Sequence, residues 1–356
     1  MEMDKEKIAM LDLMQQPAFC VEAGRITHVN PAAKQYFLTC GQPVSPMITA
    51  GREEYEHFCS GCLHITITLG GSALSATVTK MDNMELWLPE QPTDFSDLRA
   101  LALAAAELRK PLSGIMSATD QLFPAIGDDP AMQQQAAQIN RRLFQMLRSI
   151  SNMSDAVQYA SQAYDRMEYV EMAGFVEEIF EKTAALAESC GICLSYRVPQ
   201  ETIFTLACPE KLERAIYNLL SNAMKYTPAG GCVEADLICR EKRLYLSVCD
   251  SGSDRMAGDI FTRFRREPGL YDSRWGIGLG MVLVRATAAQ HGGAVLLDRP
   301  DDTHNRVTLS FAIQQPKMPQ LSSPILRIDY AGQRDHCLLE LSDVLPAELY
   351  CPENIN

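Results

Sequence analysis

No stretch of the sequence approaches the roughly 18 uninterrupted apolar residues that a membrane-spanning helix needs. The chain opens on Met1-Glu-Met-Asp-Lys-Glu-Lys7, which is too charged for a secretory leader. Both absences give the expectation of a cytoplasmic protein with no membrane insertion. A basic excess is missing too. With 32 Lys and Arg against 45 Asp and Glu, the formal charge is -13. Phosphate contacts need a concentrated basic surface, so direct nucleic-acid binding is not expected. What the sequence does have is length and apolar content. Its 356 residues, 47% of them hydrophobic, predict two or three domains with buried cores. The 12 cysteines are expected as free thiols in a reducing compartment. Cys59-x-x-Cys62 and Cys190-x-x-Cys193 have metal-ligand spacing and together could supply four thiolates, although the second pair falls where a strand should begin.

The segment from Glu213 to Gly231 carries the polar residues with the clearest placement. Asn218, Asn222, Lys225 and Tyr226 fall at i, i+4, i+7 and i+8, one face of one helix. Ala215, Ile216, Leu219, Leu220 and Ala223 lie off that face and would seat the helix on a sheet. An Asn side-chain oxygen is a hard, neutral ligand for Mg2+, and Lys225 could meet phosphate; the plain alternative is a solvated helix face. Leu244 to Gly252 reads as a strand running into a turn, delivering Asp250 and then a glycine that permits close backbone approach. Gly276-Ile-Gly-Leu-Gly280 opens an apolar helix, Met281 to His291. Glycines leading into a helix N-terminus turn backbone N–H groups and the positive dipole end toward phosphate.

In this order the three stretches resemble the N, G1 and G2 boxes of the ATP-binding domain of sensor histidine kinases, a fold shared with gyrase-type and chaperone ATPases. The resemblance runs from about Met167 to Ile313 and implies a two-layer α/β sandwich with ATP and Mg2+ as cofactors. It implies that Asp250 accepts a hydrogen bond from the adenine amino group while Gly252 lets the base approach. Asn222 would ligate Mg2+ and Asn218 would support the metal and phosphates. Lys225 and Tyr226 would contact phosphate and sugar. Gly276, Gly278 and Gly280 would pass the triphosphate to the helix N-terminus, with Leu279 packing beneath. Asp259 to Glu267 resembles the mobile lid, its Arg263, Arg265 and Arg266 adding positive charge; a basic surface helix is the alternative. Asp254 stands where the family's G1 box has its second Gly, which implies weakened ATP affinity.

The chain as a whole reads as an α+β multidomain protein. Residues 1–92 look like a small α/β sensor: a hairpin broken at Ala23-Gly24, a short helix begun by Asn30-Pro31, then strands over Leu63–Leu69, Ala73–Lys80 and Asn83–Leu88. The Asn-Pro-Ala-Ala turn region makes this similar to a PAS domain. Residues 93–165 are helical and double back at Gly127-Asp-Asp-Pro130. Leu101, Leu108, Leu112, Ile115, Met116, Thr119 and Leu122 form one apolar stripe; Ile139, Leu143, Met146, Leu147, Ile150 and Met153 form another. Two such helices cannot bury both stripes alone, so an antiparallel hairpin pairing into a four-helix bundle in a homodimer is expected. Residues 166–315 are the ATP-binding region. Residues 316–356 read as a Pro-rich linker and a hairpin tail, with strands over Ile325–Tyr330 and Cys337–Leu341, docking on the ATPase region or on a partner.

Within the first long helix, Ala106-Glu-Leu-Arg-Lys-Pro-Leu112 resembles the dimerisation and phosphotransfer helix of histidine kinases, where His-Glu-Leu-Arg-x-Pro-Leu is usual. Ala106 stands at the phosphoacceptor position, and a methyl group cannot take a phosphoryl group. Glu107, the family's base, has no imidazole to deprotonate. Lys110 stands where phosphatase activity needs Thr or Asn. The histidines, His28, His57, His64, His291, His304 and His336, all lie outside the hairpin. Three readings stay open: a degenerate kinase that binds ATP and regulates a response regulator or another kinase, an active kinase whose acceptor lies on a partner chain, and a nucleotide-free dimeric scaffold.

Overall fold

The computed structural model describes residues 5–81, 83–90, 95–127, 129–161, 167–252, 279–314 and 334–355. Its first strands, β1 (Phe19–Glu22) and β2 (Arg25–Val29), form the expected hairpin. Ala23 and Gly24 both take positive φ, 48° and 73°, the twist-matching geometry of a two-residue turn. Asn30 then fixes the exit. It is fully buried, its Oδ1 accepts from Ala18 N and Ala33 N, and its Nδ2 donates to Gln16 O at 2.9 Å. The short helix α1 (Lys5–Leu13) precedes this hairpin, and β3 (Ile48–Ala50) and α2 (Arg52–Glu56) follow it. Three longer antiparallel strands come next, β4 (Cys62–Leu69), β5 (Ser72–Met81) and β6 (Met84–Pro89), close to the ranges the alternation predicts.

Helices α3 (Phe95–Leu122), with Pro111 inside it, and α4 (Pro130–Ser161) make the antiparallel hairpin. Only part of each predicted stripe is covered within the chain. Leu112 and Met116 pack with Leu143, Leu147 and Ile150, whereas Leu108, Ile115, Leu122, Ile139 and Met146 remain exposed.

Beyond the hairpin, β7 (Glu168–Glu171) pairs with β9 (Phe204–Ala207) in a separate ribbon. Helices α5 (Met172–Ala187), α6 (Pro209–Tyr226) and α7 (Gly280–Gln290) cover a mixed sheet of β8 (Cys193–Arg197), β10 (Cys232–Arg240), β11 (Arg243–Asp250), β13 (Asn305–Ala312) and β12 (Val295–Asp298). β12 does not end that sheet. It pairs antiparallel with β4, Val295 opposite His64 and Leu297 opposite Cys62, so β1–β6, β8 and β10–β13 form one 11-stranded sheet. Ion pairs reinforce the seam: Arg285 of α7 holds Glu90 beyond β6, and Arg243 of β11 holds Glu54 of α2. His64 is buried in the seam, where desolvation and the nearby Arg285 charge push its imidazole pKa well below the usual value.

The tail departs from expectation. Cys337–Leu341 is not a strand: His336–Glu340 is a short helix, α8, and Pro352–Ile355 another, α9. Asp335 caps α8, its side chain accepting from Leu338 N at 2.8 Å, which settles a short apolar run in favour of helix. The predicted strand Ile325–Tyr330 lies outside the described residues. The tail docks on its own chain, where Leu338, Leu339, Leu341, Leu345 and Tyr350 join the core under α4, α5 and α6.

Candidate nucleotide-binding site

The site is built around α6. Pro209 opens the helix where a missing N–H is tolerated, Glu210 and Lys225 suit the dipole at its two ends, and Pro228 follows the last turn. Leu212, Ala215, Ile216, Leu219, Leu220 and Ala223 are buried and seat it on the sheet as the periodicity predicts. Its polar face is more occupied than sequence suggests. Arg214, Asn218, Ser221 and Lys225 make one stripe, and Arg148 of α4 lies across it. Arg148 Nη2 donates to Asn218 Oδ1 and Nη1 donates to Ser221 Oγ, both at 3.3 Å. Two tail carboxylates complete the cluster. Glu340 takes Arg148 Nε at 3.1 Å and Arg214 Nε at 3.0 Å; Asp343 takes Arg148 Nη1 at 2.7 Å and Lys225 Nζ at 3.0 Å. Arg214 also pairs with Asp155 of α4. Asn222, one residue beyond Ser221, is half-buried and makes no side-chain hydrogen bond among the described residues.

At the end of β11, Asp250 is 3% exposed, and its Oδ1 accepts from Gly252 N at 2.9 Å and Asn305 Nδ2 at 3.2 Å. Desolvation pushes its pKa up, while the Gly252 N–H and the Asn305 amide pull it back. Asn305 is the cross-strand partner of Asp250 in the β11–β13 register. Gly252 touches α6: a Cβ there would lie 2.7 Å from Asp250 Oδ1 and 2.8 Å from Tyr226 O. Gly280, the first residue of α7, abuts the same helix, since its Cβ would lie 2.6 Å from Asn218 Oδ1. The end of β11 and the start of α7 therefore both abut α6, the first at Tyr226 and the second at Asn218. Tyr226 is half-buried there, and Leu279 is 1% exposed at the cap of α7. Gly276, Gly278, Asp254 and the predicted lid, 259–267, lie outside the described residues.

Ala106, Glu107 and Lys110 are all exposed on α3, away from the buried seam with α4 that Ala105 and Leu112 line. The cysteine pairs do not converge on a metal geometry. Cys62 is buried in β4 beside Thr79, Cys190 meets the Val344 carbonyl, and no described group of three His, Cys, Asp or Glu could hold a metal ion. Arg148, Arg214, Glu340 and Asp343 are among the site residues that escaped sequence reasoning. Arg214 was legible, one turn before Asn218 on the same face; Arg148, Glu340 and Asp343 were not, because only tertiary packing brings α4 and the tail to α6.

Residues 207–315 match the family described as histidine kinase-, DNA gyrase B-, and HSP90-like ATPase. The match spans α6, β10, β11, α7, β12 and β13, and so takes in both Asn222 and Asp250. Similar proteins narrow it further. The chain is 28% identical over 239 residues to hybrid signal transduction histidine kinase D of Dictyostelium discoideum, which covers 64% of this chain and 15% of that protein. It is 29% identical over 231 residues to sensor protein kinase PmrB of Pseudomonas aeruginosa, covering 62% of this chain and 46% of that one. With adaptive-response sensory kinase SasA of Crocosphaera subtropica it shares 28% identity over 224 residues, 59% of this chain and 57% of the other. Residues 207–315 thus carry a domain of that ATPase family, and the chain is similar to sensor histidine kinases while spanning less than two thirds of the length of each of these relatives. In fold it is similar to the crystal structure of full-length ShkA in complex with AMPPNP, with a TM-score of 0.50 at 22% identity, covering 61% of this chain and 47% of that one.

One consequence of the Asp250 geometry is testable by substitution. Its folded-state pKa is raised, so the ionised carboxylate opposes folding at neutral pH, and removing the charge relieves that opposition. Asp250→Asn keeps an oxygen for Gly252 and Asn305 but puts a donor where an acceptor stood. Thermal unfolding at pH 7 is expected at an unchanged or higher temperature, with purine-nucleotide affinity reduced about 10-fold or more. A lower unfolding temperature with intact affinity would show that the carboxylate serves the fold alone.

Proposed function

We propose that this chain is an ATP- and Mg2+-binding, histidine-kinase-like protein of two-component signalling that does not phosphorylate itself at the usual position. The observation that carries the nucleotide reading is the buried Asp250. Both of its hydrogen bonds fall on Oδ1, and Oδ2 has no partner among the described residues, which suits an adenine amino donor. The close packing of Gly252 on Tyr226 and of Gly280 on Asn218 supports the same reading, because it brings the end of β11 and the start of α7 against the helix that carries Asn222. Asn222 would ligate the metal, with Lys225 and Tyr226 toward phosphate and sugar and Leu279 beneath. Gly276 and Gly278 complete the phosphate loop in this reading. When bound, MgATP would supply the transferable phosphoryl group.

Ala106 removes the acceptor from the chain's own helix and leaves Glu107 without an imidazole to act on. A response regulator or another kinase is the partner we propose. Residues 1–92 are proposed as a PAS-like sensor, supported by the Asn30-anchored turn and the antiparallel sheet. Residues 93–165 are proposed as the dimerisation hairpin, 166–315 as the ATP-binding domain and 316–356 as linker and tail. The exposed apolar residues of α3 and α4 support a homodimer closed as a four-helix bundle, since that arrangement covers them. No described helix is long and apolar enough to cross a membrane; cytoplasmic localisation is proposed with the rest.

Calorimetric titration with a non-hydrolysable ATP analogue and Mg2+, beside an Asn222→Ala control, tests the reading. Micromolar binding, equivalent to roughly 8 kcal/mol, is expected in the unaltered chain and its loss in the control. An absence of binding up to millimolar nucleotide would leave the nucleotide-free scaffold. The bond from Arg148 to Asn218 is the observation that favours that second reading.

A further inference from the structure

We infer that the docked tail is a tethered anionic occupant of the nucleotide's phosphate region, so that tail docking and nucleoside triphosphate binding exclude one another. The inference rests on the nucleotide reading above and adds a regulator to that site. Lys225 is the residue that reading turns toward phosphate, and the carboxylate of Asp343 already lies 3.0 Å from its ammonium group. Glu340, three residues earlier at the end of α8, is 0% exposed and bridges Arg148 and Arg214. Two tail carboxylates, together with Asp155 of α4 on Arg214, thus pair the three cations along the stripe that would receive a polyphosphate.

Asn218 Oδ1 is taken as well, by the Arg148 guanidinium that the tail carboxylates hold in place. Release does not strand these cations, because phosphate oxygens accept the same charge-assisted bonds as carboxylates. Tethering sets the balance. A linked ligand competes at an effective concentration on the order of millimolar, the range in which free nucleotide must compete with it. Arg148 belongs to α4, so the clasp also ties the tail to the hairpin, and a shift of α4 along α6 would loosen it.

The test uses the full-length protein. The Mg2+ complex of AMPPNP is titrated calorimetrically into the unaltered chain, Asp343→Asn, Glu340→Gln/Asp343→Asn, and a Glu178→Gln control at an exposed α5 pair. In parallel, amide hydrogen exchange of residues 335–350 is followed in the unaltered chain with and without nucleotide. The two tail variants are expected to bind about 10-fold tighter or better, the control to match the unaltered chain, and nucleotide to strip protection from 335–350. Equal affinities with unchanged or increased tail protection would overturn the inference and leave the nucleotide reading standing. No binding by any of the proteins, with tail protection unchanged, would overturn both. If the double variant does not fold, the exchange measurement on the unaltered chain decides by itself.

Discussion

Arg148→Ala is expected to cost about 3–5 kcal/mol of folding stability, the range for removing one partner of a buried ion pair. The guanidinium is 5% exposed and meets Glu340, Asp343, Ser221 and Asn218 together. Truncation leaves Glu340, which is 0% exposed, with Arg214 alone, and Asp343 with Lys225 alone. Arg148→Lys restores the charge but not the planar fork, so it should recover only part of the loss. The contrast is Lys182→Ala. Lys182 and Glu178 are 44% and 47% exposed, and such i, i+4 surface pairs are worth about 0.3–0.5 kcal/mol. Denaturant unfolding of the three variants checks the ranking. If Arg148→Ala fell within about 1 kcal/mol of Lys182→Ala, the cluster would have to be wet and screened rather than buried.

Gly61→Ala should be as disruptive, and it addresses the seam between the N-terminal strands and the ATPase sheet. Gly61 has φ of +87°, and a Cβ there would stand 2.2 Å from the Leu297 carbonyl oxygen and 3.1 Å from Asp298 Cα. Backbone cannot swing aside as a flexible side chain can, so relief requires β4 and β12 to part. Gly71 provides the control, since its φ is +83° with nothing within 4 Å of a Cβ. Gly71→Ala therefore isolates the backbone strain, about 1–2 kcal/mol. Gly61→Ala should exceed that by at least about 2 kcal/mol. It should also release the amides of Leu63, His64 and Leu296 to hydrogen exchange. Equal losses in the two variants would mean that the β4–β12 pairing contributes little to stability.

Local signals carried a large share of this structure. The turn at Ala23-Gly24, the strands ending β11 at Asp250, and the faces of α6 and α7 are set by residues within a few positions of one another, where periodicity and turn chemistry act directly. The tail shows the limit. Cys337 to Leu341 is a five-residue stretch with one charged residue, Glu340, too short for period to separate strand from helix, and the Asp335 cap with docking against α5 and α6 decided for helix. The stripes of α3 and α4 were visible as patterns, but which members stay exposed in one chain depends on how the two helices are rotated against each other.

By itself the sequence determined the family of the ATPase domain, the helix and strand that carry Asn218, Asn222, Lys225 and Asp250, and the alanine at the acceptor position. Each is a matter of residue identity and short-range spacing. Tertiary structure alone decided that β4 extends the ATPase sheet and that Arg148, Glu340 and Asp343 cover the amide face of α6. Strand edges join through backbone groups that every residue shares, and the cluster unites charges from three distant segments. Neither leaves a periodic trace in the chain, because their energy comes from burial that only the assembled fold provides.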